Sequence, residues 1–158
     1  MEEQELAELN RFNAWANRSL LAGVRQLAPE QLDERRGAMY ETIRGVLVHL
    51  AQVERSYLRM IRSEPREQLD WELPLDDIER VLAATDEGLL AVARSWPSSP
   101  EQRVHIPWFG RDFSVPQCLR QVLTHSANHR ADVNGWLPLF GVESTDQDYI
   151  DLALSEHP

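Results

Sequence analysis

Four stretches of this chain repeat apolar residues every third or fourth position, and prolines mark their ends. In the first, Leu6, Leu9, Asn13, Ala16, Leu20, Val24 and Leu27 share a stripe that ends in the run Ala28-Pro29-Glu30. The second begins near Tyr40, carries Ile43, Val46, Leu50, Val53, Tyr57 and Met60, and stops before Pro65. The third follows Pro74 with Ile78, Leu82, Thr85, Leu89, Val92 and Trp96, and Pro97 closes it. The fourth starts at Ser114, which with Gln117 three residues later reads as a capping box, and it runs through Leu137 to Pro138 and Gly141. Residues spaced in this way lie on one face of an α-helix, and no such helix can bury its stripe alone. Four of them joined by short links predict an all-α chain, a four-helix bundle, whose sites are built from side chains on facing helices.

The stretch between the third and fourth helices breaks the helical period. Val104, Ile106 and Trp108 alternate on one side of Phe109-Gly110-Arg111-Asp112, and Phe113 and Val115 on the other, which predicts a short β-hairpin before the last long helix. Pro107 confines it to an edge position. The acidic tail from Gly141 holds enough apolar residues for a short docking helix. At 158 residues the whole of 1–158 reads as one domain.

A formal net charge of −10 leaves no electrostatic handle for phosphate backbones, so nucleic acid is excluded as a partner. No apolar run approaches the length that spans a bilayer. The opening Met1-Glu2-Glu3-Gln4-Glu5 is acidic and unlike a signal peptide, so a cytoplasmic location is the expectation. The single cysteine, Cys118, has no internal disulfide partner, and nothing near it in sequence would lower its pKa; it reads as a buried, inert thiol.

His125 and His129 stand four apart in the fourth helix, one turn along the same side, in a sector with Cys118, Val122, Asp132 and Trp136. Two imidazoles turned toward the bundle need partners, since an orphaned buried polar group costs on the order of 1–3 kcal/mol. A divalent metal satisfies them, and so do ordinary hydrogen bonds; the spacing alone fits both. The zinc-hydrolase helix motif is excluded, because it places glutamate directly after the first histidine and this chain has Ser126 there. His49 lies on the flank of the second helix's stripe, where it can reach a neighbour or bond a backbone carbonyl or water. His105 in the hairpin suits the lining of a cleft or, more simply, the surface, and His157 near the end reads as solvated. Glu54, five residues after His49, points away from it and is set aside as a ligand. Asn13 on the first stripe suits a hydrogen bond to a ligand histidine or the capping of a buried carbonyl. Trp15 and Trp136 suit the core, and Trp108 the mouth of a cleft.

Three blocks in order carry a resemblance. They are Phe12-Asn13-Ala14-Trp15-Ala16-Asn17, the run Thr42 to Leu58 with its single His49, and His125-Ser126-Ala127-Asn128-His129-Arg130 followed by Leu139 to Leu152. Together they resemble the DinB/YfiT-like family of metalloenzymes. The resemblance implies a four-helix bundle in which His49, His125 and His129 bind one divalent metal ion. Imidazole ligands suit zinc, nickel, iron or copper alike. It further implies a homodimer and a small-molecule substrate, with low-molecular-weight thiols as partners and S-transfer or related thiol and hydrolytic chemistry as the activity. A non-catalytic metal- or ligand-binding bundle with a stress-response role is the alternative, and a structural protein with merely buried histidines the third. Where the family's last motif often continues Arg-Gly-Gln, this chain has Arg130-Ala131-Asp132. Asp132 therefore suits a carboxylate orienting a histidine, a fourth ligand, or a salt bridge with an arginine across the bundle.

Overall fold

The computed structural model describes residues 2–37 and 39–156. Among the described residues five α-helices and one hairpin follow in the order α1 (Glu2–Val24), α2 (Ile43–Ile61), α3 (Leu75–Ser95), β1 (Arg103–Ile106), β2 (Arg111–Ser114), α4 (Val115–Trp136) and α5 (Tyr149–Glu156), with short 3₁₀ turns between some of them. The bundle and hairpin expected from the periodicity are both present. Among the described residues no helix is long and apolar enough to cross a membrane.

Local chemistry explains the boundaries. Thr42 caps α2 by accepting from the Gly45 amide at 2.9 Å, so the helix begins after Tyr40 rather than at it. Ser114 and Gln117 form the anticipated reciprocal box, with bonds of 2.9 and 3.3 Å. Past Trp136 the chain tightens into a 3₁₀ turn, Leu137–Phe140, and Gly141 at φ 78° ends it in the left-handed region. The hairpin pairs Val104 with Phe113 and His105 with Asp112. Its turn is Pro107–Gly110, not the Phe109–Asp112 run expected, because Gly110 adopts the positive φ of 60° that the reversal requires. Trp108 consequently stands at the tip of the turn.

Each long helix touches two others closely. α1 packs on α3 and α4, and α2 packs on the same two, so α1 and α2 face each other across a diagonal. Two apolar cores fill the ends of the bundle. One gathers Leu20 and Val24 from the end of α1 with Leu47, Leu50, Ile78 and Leu137. The other gathers Leu6 from its start with Leu58, Leu89, Ile106 and Leu119. Following each helix between these ends shows that α2 and α3 run parallel. The link between them is therefore not short. Residues 62–74 return along the length of α2, tied to it by Gln52, which donates to the Glu67 carbonyl at 3.0 Å and accepts from the Leu69 amide. Arg55 and Arg59 add ion pairs to Glu67.

Candidate metal centre

Between the two cores lies a layer that is neither apolar nor open. Asn13 and Asn17 enter it from α1, Glu54 from α2, Asp86 from α3, and Ser126 and Arg130 from α4; all six are buried. Glu54, at 0% exposure, accepts from Ser126 Oγ at 2.6 Å, Asn13 Nδ2 at 2.9 Å and Asn17 Nδ2 at 3.2 Å. Asn17 Nδ2 also faces Asp86 Oδ1 at 3.2 Å. On the other side Arg130 Nη1 donates to Asn13 Oδ1 at 2.6 Å and Asn17 Oδ1 at 2.9 Å. The two amides thus connect one cation to two carboxylates. Burial, and then the neighbouring Glu54, push the Asp86 carboxyl up to about 8, while burial lowers Arg130.

This layer sets the rotation of α4. With Ser126 and Arg130 turned to the bundle axis, His125 and His129 stand one residue round, on the flank that faces α2. The histidines are half-buried there, not aimed at the core as the helical sector of Cys118 and Val122 suggested. The stripe of α2 is likewise turned from the one expected. Leu50, Glu54, Tyr57, Leu58 and Ile61 are buried while Val53 and Met60 are only partly so, and this turn brings His49 to the same rim.

The three histidines meet. One ring nitrogen of each lies within 4.8 Å of the others. His49 Nε2 and His125 Nε2 are 3.0 Å apart, and the ring centroids of His125 and His129 are 4.4 Å apart. Tyr40, in the turn before α2, stacks on His49 at 3.9 Å. Burial, reinforced by the neighbouring histidines, lowers both His49 and His125 to about 4, so both imidazoles are neutral near pH 7.

The donor set fits a divalent ion. A tetrahedral zinc with bonds of about 2.0–2.1 Å spaces its nitrogens roughly 3.3 Å apart, close to the one Nε2–Nε2 distance already present. Hydrogen bonding alone leaves the cluster short of partners. Among the described residues a single N–N contact, between the Nε2 atoms of His49 and His125, joins the three rings. An ion accepts all three lone pairs at once.

Other expected residues fall elsewhere. Asp132 is exposed, outside the cluster; its Oδ2 stands 3.6 Å from His129 Nδ1, too long for a hydrogen bond, and among the described residues it pairs with no arginine. Asn13 reaches neither a histidine nor a carbonyl, because Glu54 and Arg130 hold both ends of its amide. His105 bonds Asp112 at 2.7 Å on the hairpin surface, and His157 falls outside the described residues. Trp136 packs against the first core, whereas Trp15 is only half-buried beside Phe12. Cys118 is buried, and burial pushes its thiol up to about 11. Glu54 lies in the buried layer, bonded to Asn13, Asn17 and Ser126, a place its sequence reading does not give it; a charge four residues after Leu50 on a buried stripe is the signal that could have found it.

Beside the histidines opens a cleft of about 630 Å³. His49, His125 and Tyr40 line one end, Trp71 and Arg66 from the returning link form a wall, and Trp108 stands at the hairpin side, as its expected place at a cleft mouth requires. No curated protein matches the sequence. The family model described as DinB family matches residues 1–157.

Proposed function

We propose that this chain, which belongs to the DinB family, holds one divalent metal ion on His49, His125 and His129 and acts as an enzyme on a small thiol. Membership of the family bears out the resemblance seen in the three sequence blocks. One observation carries the reading: three imidazoles, two of them neutral, bring one ring nitrogen each within 4.8 Å of the others at the end of an open cleft. Three protein ligands are the pattern of a catalytic site, since closed structural sites use four. An ion bound there supplies a positive charge that lowers the pKa of a bound thiol or water.

The chain's own groups favour the thiol. Among the described residues Glu67 is the only carboxylate lining the cleft, and it is committed to Arg55 and Arg59. A metal would ionise bound water without a side-chain base, but hydrolysis also asks for an acid to protonate the leaving group, and the described residues of the cleft offer no uncommitted carboxyl for it. A thiol, with an ordinary pKa near 8.5, needs far less help. S-transfer is therefore preferred over hydrolysis, with the cleft holding the acceptor. The same scarcity of acid–base groups supports the second reading, a bundle that binds metal or a small ligand without turnover. A homodimer belongs to the proposal as an expectation of the family.

The test is elemental analysis of untagged protein beside a His125→Ala/His129→Ala variant. About one equivalent of metal in the parent, lost in the variant, is the expected result. Thiol-dependent turnover that disappears with the metal then separates enzyme from binding protein. No bound metal after incubation with zinc, nickel and iron salts would return the cluster to three buried histidines and overturn the proposal.

A further inference from the structure

The cleft does not end at the histidines. Beneath the hairpin lies a second cavity of about 230 Å³, and it shares Tyr57, Phe109 and Gln121 with the cleft as common walls. Its own walls are Ile106, Phe113, Cys118 and Gln117. Apart from the Tyr57 hydroxyl and the Gln121 amide on the side shared with the cleft, little here asks for a polar guest. Gln117 is committed to the Ser114 cap, and the Cys118 thiol stays protonated, so it is a wall rather than a nucleophile. A dry cavity of about 150 Å³ accommodates benzene, so this chamber takes a phenyl group or a short alkyl chain.

The cleft side offers the opposite chemistry. Among the described residues Arg66 is the only arginine or lysine lining it. Its neighbours Arg55 and Arg59 are paired to Glu67, whereas Arg66 has no carboxylate partner among the described residues. Its guanidinium lies 5.0 Å above the Trp108 ring, which holds the side chain over the cleft while leaving its N–H groups unclaimed.

We propose that cleft and chamber form one substrate site for a small amphipathic anion, whose acidic group is held by Arg66 and whose apolar arm enters the chamber between Ile106, Phe109 and Phe113. This rests on the reading of the cleft as the site served by the histidines, and it assigns the acceptor's chemical class. The chamber limits the arm to roughly six carbons or one ring.

Linear alkanesulfonates from ethane to decane are suitable probes, since sulfonates are weak metal ligands. Their binding to the purified, metal-analysed protein is measured by calorimetry. Affinity is expected to rise about fourfold per methylene, following the usual gain for a buried CH₂, and to stop rising near hexyl. Arg66→Gln should weaken every member roughly tenfold and leave the chain-length gradient unchanged. Cys118→Met, which fills the chamber, should flatten the gradient. If that variant fails to fold, Phe109→Ala at the exposed rim removes one wall and should also shrink it. A flat series in the parent protein, or equal affinities with and without Arg66, overturns the proposal. The metal content of the same samples keeps the two readings apart. A gradient in metal-free protein supports the chamber while the metal reading falls, and bound metal with no gradient overturns the chamber alone.

Discussion

The same two helices, α2 and α4, carry two polar clusters that differ in almost every respect. Glu54, Ser126 and Arg130 belong to a layer in which the donors and acceptors of four helices are matched to one another. His49, His125 and His129 stand a residue or a turn away, at the rim, with ring nitrogens unmatched and a cleft beside them. A saturated cluster has nothing left to offer a ligand, however unusual its residues. The unsaturated one does, and that is why the function is assigned to the histidines and not to the buried carboxylates.

Breaking the saturated cluster should cost most. Arg130→Met removes the cation that, among the described residues, the layer holds, and leaves the Glu54 charge without compensation. A loss of about 3–5 kcal/mol is expected, read from denaturant unfolding. His125→Leu, by contrast, should leave the metal-free protein about as stable as before while abolishing metal retention; a loss as large as that of Arg130→Met would erase the distinction.

A smaller effect sharpens the comparison through pH. The Asp86 carboxyl, raised from 3.8 to about 8, holds a proton in the folded state that the unfolded chain has released. The folded state therefore binds more protons between about pH 4 and pH 8, and stability attributable to this group falls as pH rises through that window. Asp86→Asn removes the titration and leaves Arg130 matched to Glu54 alone. Its melting temperature should exceed the parent's by more at pH 8 than at pH 5; a pH-independent difference would argue against a shared buried proton.

The smallest change concerns the carboxylate that stands beside His129. Asp132→Asn, at an exposed side chain 3.6 Å from His129, should alter stability by no more than about 0.5 kcal/mol and leave the metal stoichiometry unchanged. Loss of metal in this variant would make Asp132 part of the centre after all.

Much of this was legible in the chain. The stripes through Leu20, Leu50, Leu89 and Val122 predicted the helices, Ser114 and Gln117 marked where α4 begins, and the alternation from Val104 marked the hairpin. The helical spacing of His125 and His129 placed two imidazoles together, but only the family resemblance joined His49 to them. The stripe of α2 was read a fraction of a turn from its true face, because Val53 and Met60 satisfy the same period as Glu54, Leu58 and Ile61. Periodicity records which residues are apolar, not which way a polar residue turns when a partner waits on another helix. Asn17, Asp86 and Arg130 are separated by tens of residues, so nothing local announces that they meet. The direction of the link at 62–74 was equally silent, since it depends on which end of the bundle α3 starts from.

The buried layer also works as an alignment mark along the bundle axis. Apolar cores at both ends would tolerate a helix sliding by one turn, about 5.4 Å, because leucine and valine fill one another's places at modest cost. The layer does not tolerate it. A one-turn slip of α4 in either direction carries Ser126 or Arg130 out of the polar level and into apolar surroundings, away from Glu54 or the asparagines. A single polar level between two interchangeable greasy ones defines one register and disfavours its neighbours, and the three histidines are held opposite one another in that register alone.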